Sequence, residues 1–204
     1  RGAGKLDFSR ASMDAASVAS PRGANTLAPP DGQGKLGSKR HIITERQGIP
    51  PIFCVTGANR HDSVVFEQLV DALPTVRGCR GRPRRWPHKL HADKGYDFAR
   101  CRAHLRKLGI TARIARRGVE RNDRLGRHHW VVERTPAWLA ALGKLRTRFE
   151  RRIDIHLALL SLACCIISFA ILHRFVSCSK PITDILPTPT AQLAAIVGLA
   201  NHLA

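Results

Sequence analysis

The segment Lys89-Leu90-His91-Ala92-Asp93-Lys94-Gly95-Tyr96-Asp97 constrains the fold of this 204-residue chain more than any other stretch. Leu90 and Ala92 alternate with His91 and Asp93, the period of a short strand with one apolar face. Gly95 permits a sharp turn. Phe98, Cys101, Leu105 and Leu108 then recur at the spacing of an amphipathic helix. Asp93 thus stands where a strand ends and a helix is about to begin, the place where ligands of open α/β sheets collect. Two readings of Asp93 stay open here: a residue that caps the turn or pairs with Lys94, or an acid that holds a ligand.

The remaining elements can be placed around that unit. Ser12 to Val18 is a weak strand candidate with Asp14 inside it. Ala19 to Ser38, rich in Gly, Pro, Ala and Asn, reads as a loop. Arg40 to Glu45 and Ile52 to Thr56 are β-rich runs joined by the turn Arg46-Gln47-Gly48-Ile49, which predicts a hairpin. Asp62 or Ser63 is the expected N-cap of a helix whose core face is Phe66, Leu69, Val70 and Leu73, and Pro74 closes it. Ile110 to Ala115 is a further strand. Trp130, Val131, Leu139 and Leu142 outline a helix that carries Glu133, with Pro136 inside the pattern. Ile153 to Leu172 is a strongly apolar helix, expected to be a buried core helix rather than a membrane span. The order, a hairpin followed by alternating β and α, predicts an α/β layer with a mixed sheet. One domain over residues 1–174 with a divergent tail over 175–204 is the expected division. The chain opens without Met and reads as the interior of a longer protein.

Charge limits the partners. Lys and Arg number 34 against 15 Asp and Glu, a formal net charge of +19. With 44% hydrophobic residues the chain is not a disordered polycation, so a folded protein with a polyanionic partner, nucleic acid first, is expected. Arg77, Arg80, Arg82, Arg84 and Arg85 lie among Gly and Pro, a run that either stays solvated or contacts phosphates. The six Cys form no CxxC pair, which predicts free, buried thiols in a reducing compartment.

Asp14 on the first strand, Asp93 at the end of the central strand and Glu133 on the later helix can meet if those two strands are neighbours. Three hard oxygen donors suit Mg²⁺ or Mn²⁺ rather than zinc. Two such ions can clamp the attacking and leaving oxygens of a phosphoryl transfer. His88, His91, His128 and His129 read as surface or turn histidines. A zinc site built from His88, His91 and Asp93 lacks a fourth ligand in sequence reach. Trp86 and Trp138 could stack on bases, although the spacing of Trp138 is that of a core residue.

Several longer motifs add to this. Gly37-Ser38-Lys39, Ala58-Asn59-Arg60-His61-Asp62-Ser63, Leu90 to Asp97, Ile114-Ala115-Arg116-Arg117-Gly118 and Trp130-Val131-Val132-Glu133-Arg134-Thr135 resemble bacterial insertion-sequence DDE transposases of the IS-five type, over about residues 4–172. The resemblance implies a ribonuclease-H-like fold, a mixed sheet flanked by helices. It implies Asp14, Asp93 and Glu133 as catalytic acids and metal ligands. It implies Mg²⁺- or Mn²⁺-dependent cleavage at transposon ends, then attack of a 3′-hydroxyl on target DNA. Lys39, Lys94, Arg116, Arg117 and Arg134 in those motifs, with Arg80, Arg82, Arg84 and Arg85, are the expected DNA contacts. Double-stranded DNA is the expected partner, a homodimer the expected active form, and the bacterial cytoplasm at the nucleoid the expected place, with no membrane.

The sequence departs from the family pattern at particular positions. His129 stands where Arg is usual, Pro136 replaces a larger apolar residue, and Ala141 and Gly143 occupy positions that are usually basic. No segment precedes Asp14 at the usual length, and no counterpart of the chain beyond Arg174 is recognisable. These departures predict a truncated, decaying copy that cuts DNA poorly. The rival functions are a catalytically inactive DNA-binding remnant and a basic membrane-associated protein anchored by Leu157 to Leu172.

Overall fold

A computed structural model describes residues 6–23, 34–76, 83, 85–118 and 126–177, without the side chains of 126–132 and 174–177. Arg80, Arg82, Arg84, the side chain of His129 and the chain beyond Ser177 lie outside the described part. Five strands are present among the described residues: β1 (Ala11–Ala19), β2 (Gly37–Glu45), β3 (Ile52–Gly57), β4 (Lys89–Ala92) and β5 (Thr111–Ile114). They form one sheet in the order β3-β2-β1-β4-β5. β2 is antiparallel to both β1 and β3, whereas β4 runs parallel to β1 and to β5. The mixed sheet expected from the element order is therefore observed. The helices are α1 (Phe66–Asp71), α2 (Ala99–Lys107), α3 (Gly126–Ala141), α4 (Gly143–Arg146) and α5 (Ile153–Ser177).

The period of two along the strands sorts side chains onto two faces, and each face has its own core. Met13, Ile43, Leu90 and Ala92 pack with Phe66, Leu69 and Val70 of α1 and Cys101 and Leu105 of α2. Ile42, one residue from Ile43, points the other way and packs with Leu139, Leu145, Leu160 and Ile167 from α3, α4 and α5. A buried Leu such as Leu160 contributes roughly 2 kcal/mol by transfer alone.

The hairpin turn is held by Glu45, whose carboxylate accepts from the backbone N–H of Gln47 (2.7 Å), Ile49 (3.1 Å) and Asp7 (3.1 Å). Gly48 has φ +96°, a conformation that glycine adopts without steric cost. Its carbonyl accepts from the hydroxyl of Thr135 at 3.0 Å, which fixes α3 to the hairpin.

Four details differ from the sequence expectation. The helical segment after β3 begins as a 3₁₀ turn at Asp62–Val65, and its N-cap is His61, not Asp62 or Ser63; the His61 ring accepts from the Ser63 N–H at 3.3 Å. Asp62 is unavailable as a cap because its carboxylate is paired with Lys39. α1 ends at Asp71, before Pro74. Cys164 is buried, as expected, but its neighbour Cys165 is exposed, because adjacent helical positions point about 100° apart. α5 is buried along one face only, leaving Ile155, Leu162 and Phe169 exposed by 46%, 56% and 71%. Length and composition alone would also let Ile153–His173 cross a membrane. Its buried face, however, builds the second core of the sheet.

Pro136 lies inside α3. It cannot donate to the carbonyl four residues back, and its ring crowds that carbonyl. It also lines a cleft of about 70 Å³ against β1 and β2, with Ala16, Arg40, Leu139, Ala140 and Arg146. Pro136→Leu restores the donor and fills space, so thermal unfolding should show a gain of roughly 3 kcal/mol. An unchanged or lower midpoint would mean that the helix has adapted to the proline.

Candidate active site

The parallel pairing of β1 and β4 sets Ala11 opposite Leu90 and Ser12 opposite His91. Continued past this pairing, the same register points Asp14 of β1 toward Asp93, the first residue after the end of β4. Both carboxylates belong to the same face. Asp14 pairs across β1–β2 with Ile42, which packs under α3 and α5, and His91 and Asp93 alternate with Leu90 and Ala92 of the opposite core. α3, which carries Glu133, packs on β1 and β2 over this face. Glu133 itself is exposed. The register thus points Asp14 and Asp93 toward one edge of the sheet, and Glu133 is carried by the helix that packs on β1 and β2.

Local hydrogen bonds fix the two aspartates. Asp14 Oδ1 accepts from the N–H of Ala15 at 2.8 Å. Asp93 is the N-cap of the 3₁₀ turn Lys94–Tyr96, and its Oδ1 accepts from Gly95 N–H at 3.0 Å. The capping reading of Asp93 is therefore met, and it leaves the second carboxylate oxygen for a ligand.

Local sequence marks Asp62 only as a helix cap. The fold brings it to the same edge. A Cβ on Gly95 would lie 3.1 Å from Asp93 Oδ1 and 3.5 Å from Asp62 Oδ2, so the missing side chain is what lets both acids approach. Tyr96 is wholly buried beneath them. Burial first, then the charges of Asp62, Asp14 and Asp93, hold its phenol far above the ordinary range. The motif Ala58 to Ser63 contains Asp62, but its spacing carries no sign of this contact.

The basic residues divide into two groups. Lys94, Arg116 and Arg117 are exposed and follow the carboxyl ends of β4 and β5, the edge at which Asp93 stands. Asp97 holds this rim. It accepts from Arg117 N–H at 2.9 Å and from Arg102 at 2.7 Å, and these bonds keep its carboxyl below the usual range. Arg117 also stacks over Phe98, 4.6 Å from the ring centre. Lys39 and Arg134 are engaged within the fold. Lys39 Nζ pairs with Asp62 at 2.8 Å and donates to the Arg60 carbonyl at 2.9 Å. Arg134 donates to the Gln47 carbonyl and lies over Trp138, which packs against the second core. Arg85 donates to the Asp71 carbonyl at 2.8 Å and covers Trp86.

Among the described residues no three His, Cys, Asp or Glu side chains are drawn close enough to hold an ion unaided. The donors still fit a hard cation, because Mg²⁺ keeps several waters and is commonly held by one or two carboxylates. Asp14 on β1 and Asp93 just past the end of β4 are carboxylates of the kind that requirement calls for. The zinc alternative with His88 and His91 finds no such group either.

The fold and the family model together define the class to which this α/β domain belongs. The chain belongs to the transposase DDE domain family, whose model matches residues 12–168. A Burkholderia cepacia protein assigned as the transposase for insertion sequence element IS402 is 47% identical over 145 residues, 71% of this chain and 69% of that protein. The transposase for insertion sequence element IS1106 of Neisseria meningitidis serogroup B is 30% identical over 115 residues, 52% of this chain and 36% of that one. Among solved structures, a chain of the simian T-cell lymphotropic virus intasome in complex with PP2A regulatory subunit B56 gamma superposes with TM-score 0.51 at 14% identity, covering 91% of this chain and 61% of its own. That likeness bears on the fold, which is ribonuclease-H-like.

Proposed function

We propose that this chain is the catalytic domain of a DNA transposase that cleaves strands at insertion-sequence ends and transfers them to target DNA. Asp14, Asp93 and Glu133 would hold Mg²⁺ or Mn²⁺. The observation that supports this reading is the parallel β1–β4 pairing, which makes neighbours of the strand that carries Asp14 and the strand that ends before Asp93, with α3 packed on β1. When bound, the metal would activate the attacking oxygen and neutralise charge on the scissile phosphate. The chain's own contribution is placement. Two backbone-anchored carboxylates define the edge, and Lys94, Arg116 and Arg117 beside it draw the phosphate backbone across. Double-stranded DNA is the partner, a homodimer the working form, and the bacterial nucleoid the place of action.

In this copy the chemistry is weakened. Pro136 stands three residues after Glu133 within α3, and catalytic geometry tolerates little displacement. His129 stands where the family pattern has Arg, and an imidazole lacks the permanent charge and the fork of donors that a guanidinium offers a phosphate. The same two observations favour a second reading, a DNA-binding remnant without catalysis.

A nicking assay with Mg²⁺ or Mn²⁺ on DNA carrying the cognate ends separates the two. The unmodified chain should cut slowly but above the Asp93→Ala blank. His129→Arg with Pro136→Leu should raise the rate by about 10-fold or more, since a misplacement of about 1 Å can cost as much as ~100-fold. Robust cutting by the unmodified chain would remove the decay reading. A repaired chain no faster than the blank would leave only the remnant.

A further inference from the structure

We propose that Asp62 and the Tyr96 hydroxyl form an outer shell of the metal site, accepting hydrogen bonds from the waters of a hydrated divalent cation held at Asp14 and Asp93. This inference rests on the metal-dependent reading above.

Tyr96 is the starting point. Its side chain is wholly buried, and its hydroxyl has no hydrogen-bond partner among the described residues. A buried phenol ordinarily finds one. The ring is fixed against Phe66 at 5.7 Å between centres, so the hydroxyl cannot swing away to solvent. The carboxylates that act on it are Asp62, Asp14 and Asp93. A phenol hydroxyl is both donor and acceptor, so it can accept from a water.

Asp62 reaches the same place from another element. It opens the 3₁₀ turn after β3, and Lys39 on β2 holds its Oδ1 at 2.8 Å. Its other oxygen, Oδ2, lies 3.5 Å from where a Cβ on Gly95 would stand, in the same cradle as the Asp93 carboxylate. A carboxylate committed to Lys39 is poorly placed to ligate directly, and among the described residues no three acids close on one point. A cation that keeps its waters bridges that distance. Groups that hydrogen-bond the ligands of a metal tune its affinity nearly as strongly as the ligands themselves. Asp62 and Tyr96 are positioning residues in this arrangement, and Lys39 sets the angle of Asp62.

The test uses the whole chain and two readouts besides activity. Mn²⁺ binding is followed by the electron paramagnetic resonance signal of the free ion. Tyr96 is the single tyrosine of the chain, so the tyrosine Raman doublet reports its hydrogen bonding without ambiguity. Asp62→Asn and Tyr96→Phe keep size and shape. Each should weaken Mn²⁺ binding by about 10-fold or more. Saturating Mg²⁺ should shift the doublet in the unmodified chain and not in Asp93→Ala. If both variants bind Mn²⁺ like the unmodified chain while Asp93→Ala loses it, the outer shell is wrong and the metal-dependent reading stands. If Asp93→Ala binds as tightly as the unmodified chain, that reading fails and the inference with it. Should Asp62→Asn not fold, Tyr96→Phe and the Raman response decide, and a doublet indifferent to saturating Mg²⁺ overturns the proposal.

Discussion

Between about 50 and 200 mM salt, the affinity of this chain for duplex DNA should fall by roughly three orders of magnitude, as for a protein that neutralises about six phosphates. The net charge of +19 supplies the long-range attraction, and the placement of the exposed cations decides which of them release counterions. Lys94 and Arg116 stand exposed at the carboxyl edge of β4 and β5. Replacing both with Ala should lower the log–log salt slope by about 0.9 for each phosphate that is no longer neutralised. Arg80, Arg82, Arg84 and Arg85, replaced together, should flatten it further. Lys39 and Arg134, whose charges are engaged with Asp62 and the Gln47 carbonyl, should change the slope less and the thermal stability more. Filter binding across a salt series, with scrambled duplexes as competitors, measures all of this. A slope that survives replacement of the four loop arginines would make that loop a solubilising segment.

Acid should destabilise this protein from about pH 6.5 downward, before most of its carboxylates titrate. His41 and His156 are wholly buried. Desolvation lowers each to about 4 from the ordinary 6.5. His41 Nε2 meets the Thr56 hydroxyl at 2.8 Å. His156 lies between Arg40, whose Nε donates to its Nε2 at 3.4 Å, and Glu150, 3.4 Å from its Nδ1. That pattern places the single proton of the neutral ring on Nδ1. Arg148, also fully buried, donates to Ser38 Oγ at 2.6 Å in the same cluster. Protonating His156 would put a third positive charge beside Arg40 and Arg148, against one carboxylate.

The sign follows from linkage. The unfolded chain takes up these protons near pH 6.5, and the folded chain refuses them until about pH 4. Stability is therefore full above about pH 6.5 and is lost as pH falls through that window, by about 3 kcal/mol for each histidine once about pH 4 is reached. Glu45 works the other way. Burial raises its carboxyl above the usual 4.5, so it returns a part of the loss near that pH. Urea unfolding at a series of pH values from about 7.5 down to about 4 should show the decline, and His156→Gln should remove about half of it. A stability that is flat from about pH 7.5 to about 5 would mean that neither histidine is neutral by necessity.

The site is legible in the sequence to different depths. Asp93 can be placed from local pattern, because a strand that stops on an acid before Gly95 describes its own geometry. Asp14 and Glu133 need the motif resemblance as well. Neither lies in a pattern that distinguishes a catalytic acid from an ordinary one, and 79 and 40 residues separate the three acids along the chain. Asp62 reads as a cap in the sequence and is not one, because an aspartate before a helical run ordinarily caps it. Here Lys39, 23 residues earlier on β2, takes the carboxylate first.

By itself, the sequence determined the strands, the hairpin and its turn, the helical faces, the basic character and the family. Each of these rests on local periodicity, on turn residues with few allowed conformations, or on motif wording. Tertiary structure alone decided three things. The parallel pairing of β1 with β4 set Ser12 opposite His91, and so brought the strand of Asp14 beside the strand that ends before Asp93, across 79 residues of chain that no local pattern encodes. Convergence on Gly95 made neighbours of Asp62, Asp93 and Tyr96. Packing on the sheet also buried one side of α5 and left Phe169 on the other, a division invisible in a helix apolar all round. The physical reason is common to the three: hydrophobic and backbone pairing energies are read locally in a chain, but which surfaces they bring together is settled only when the whole sheet closes.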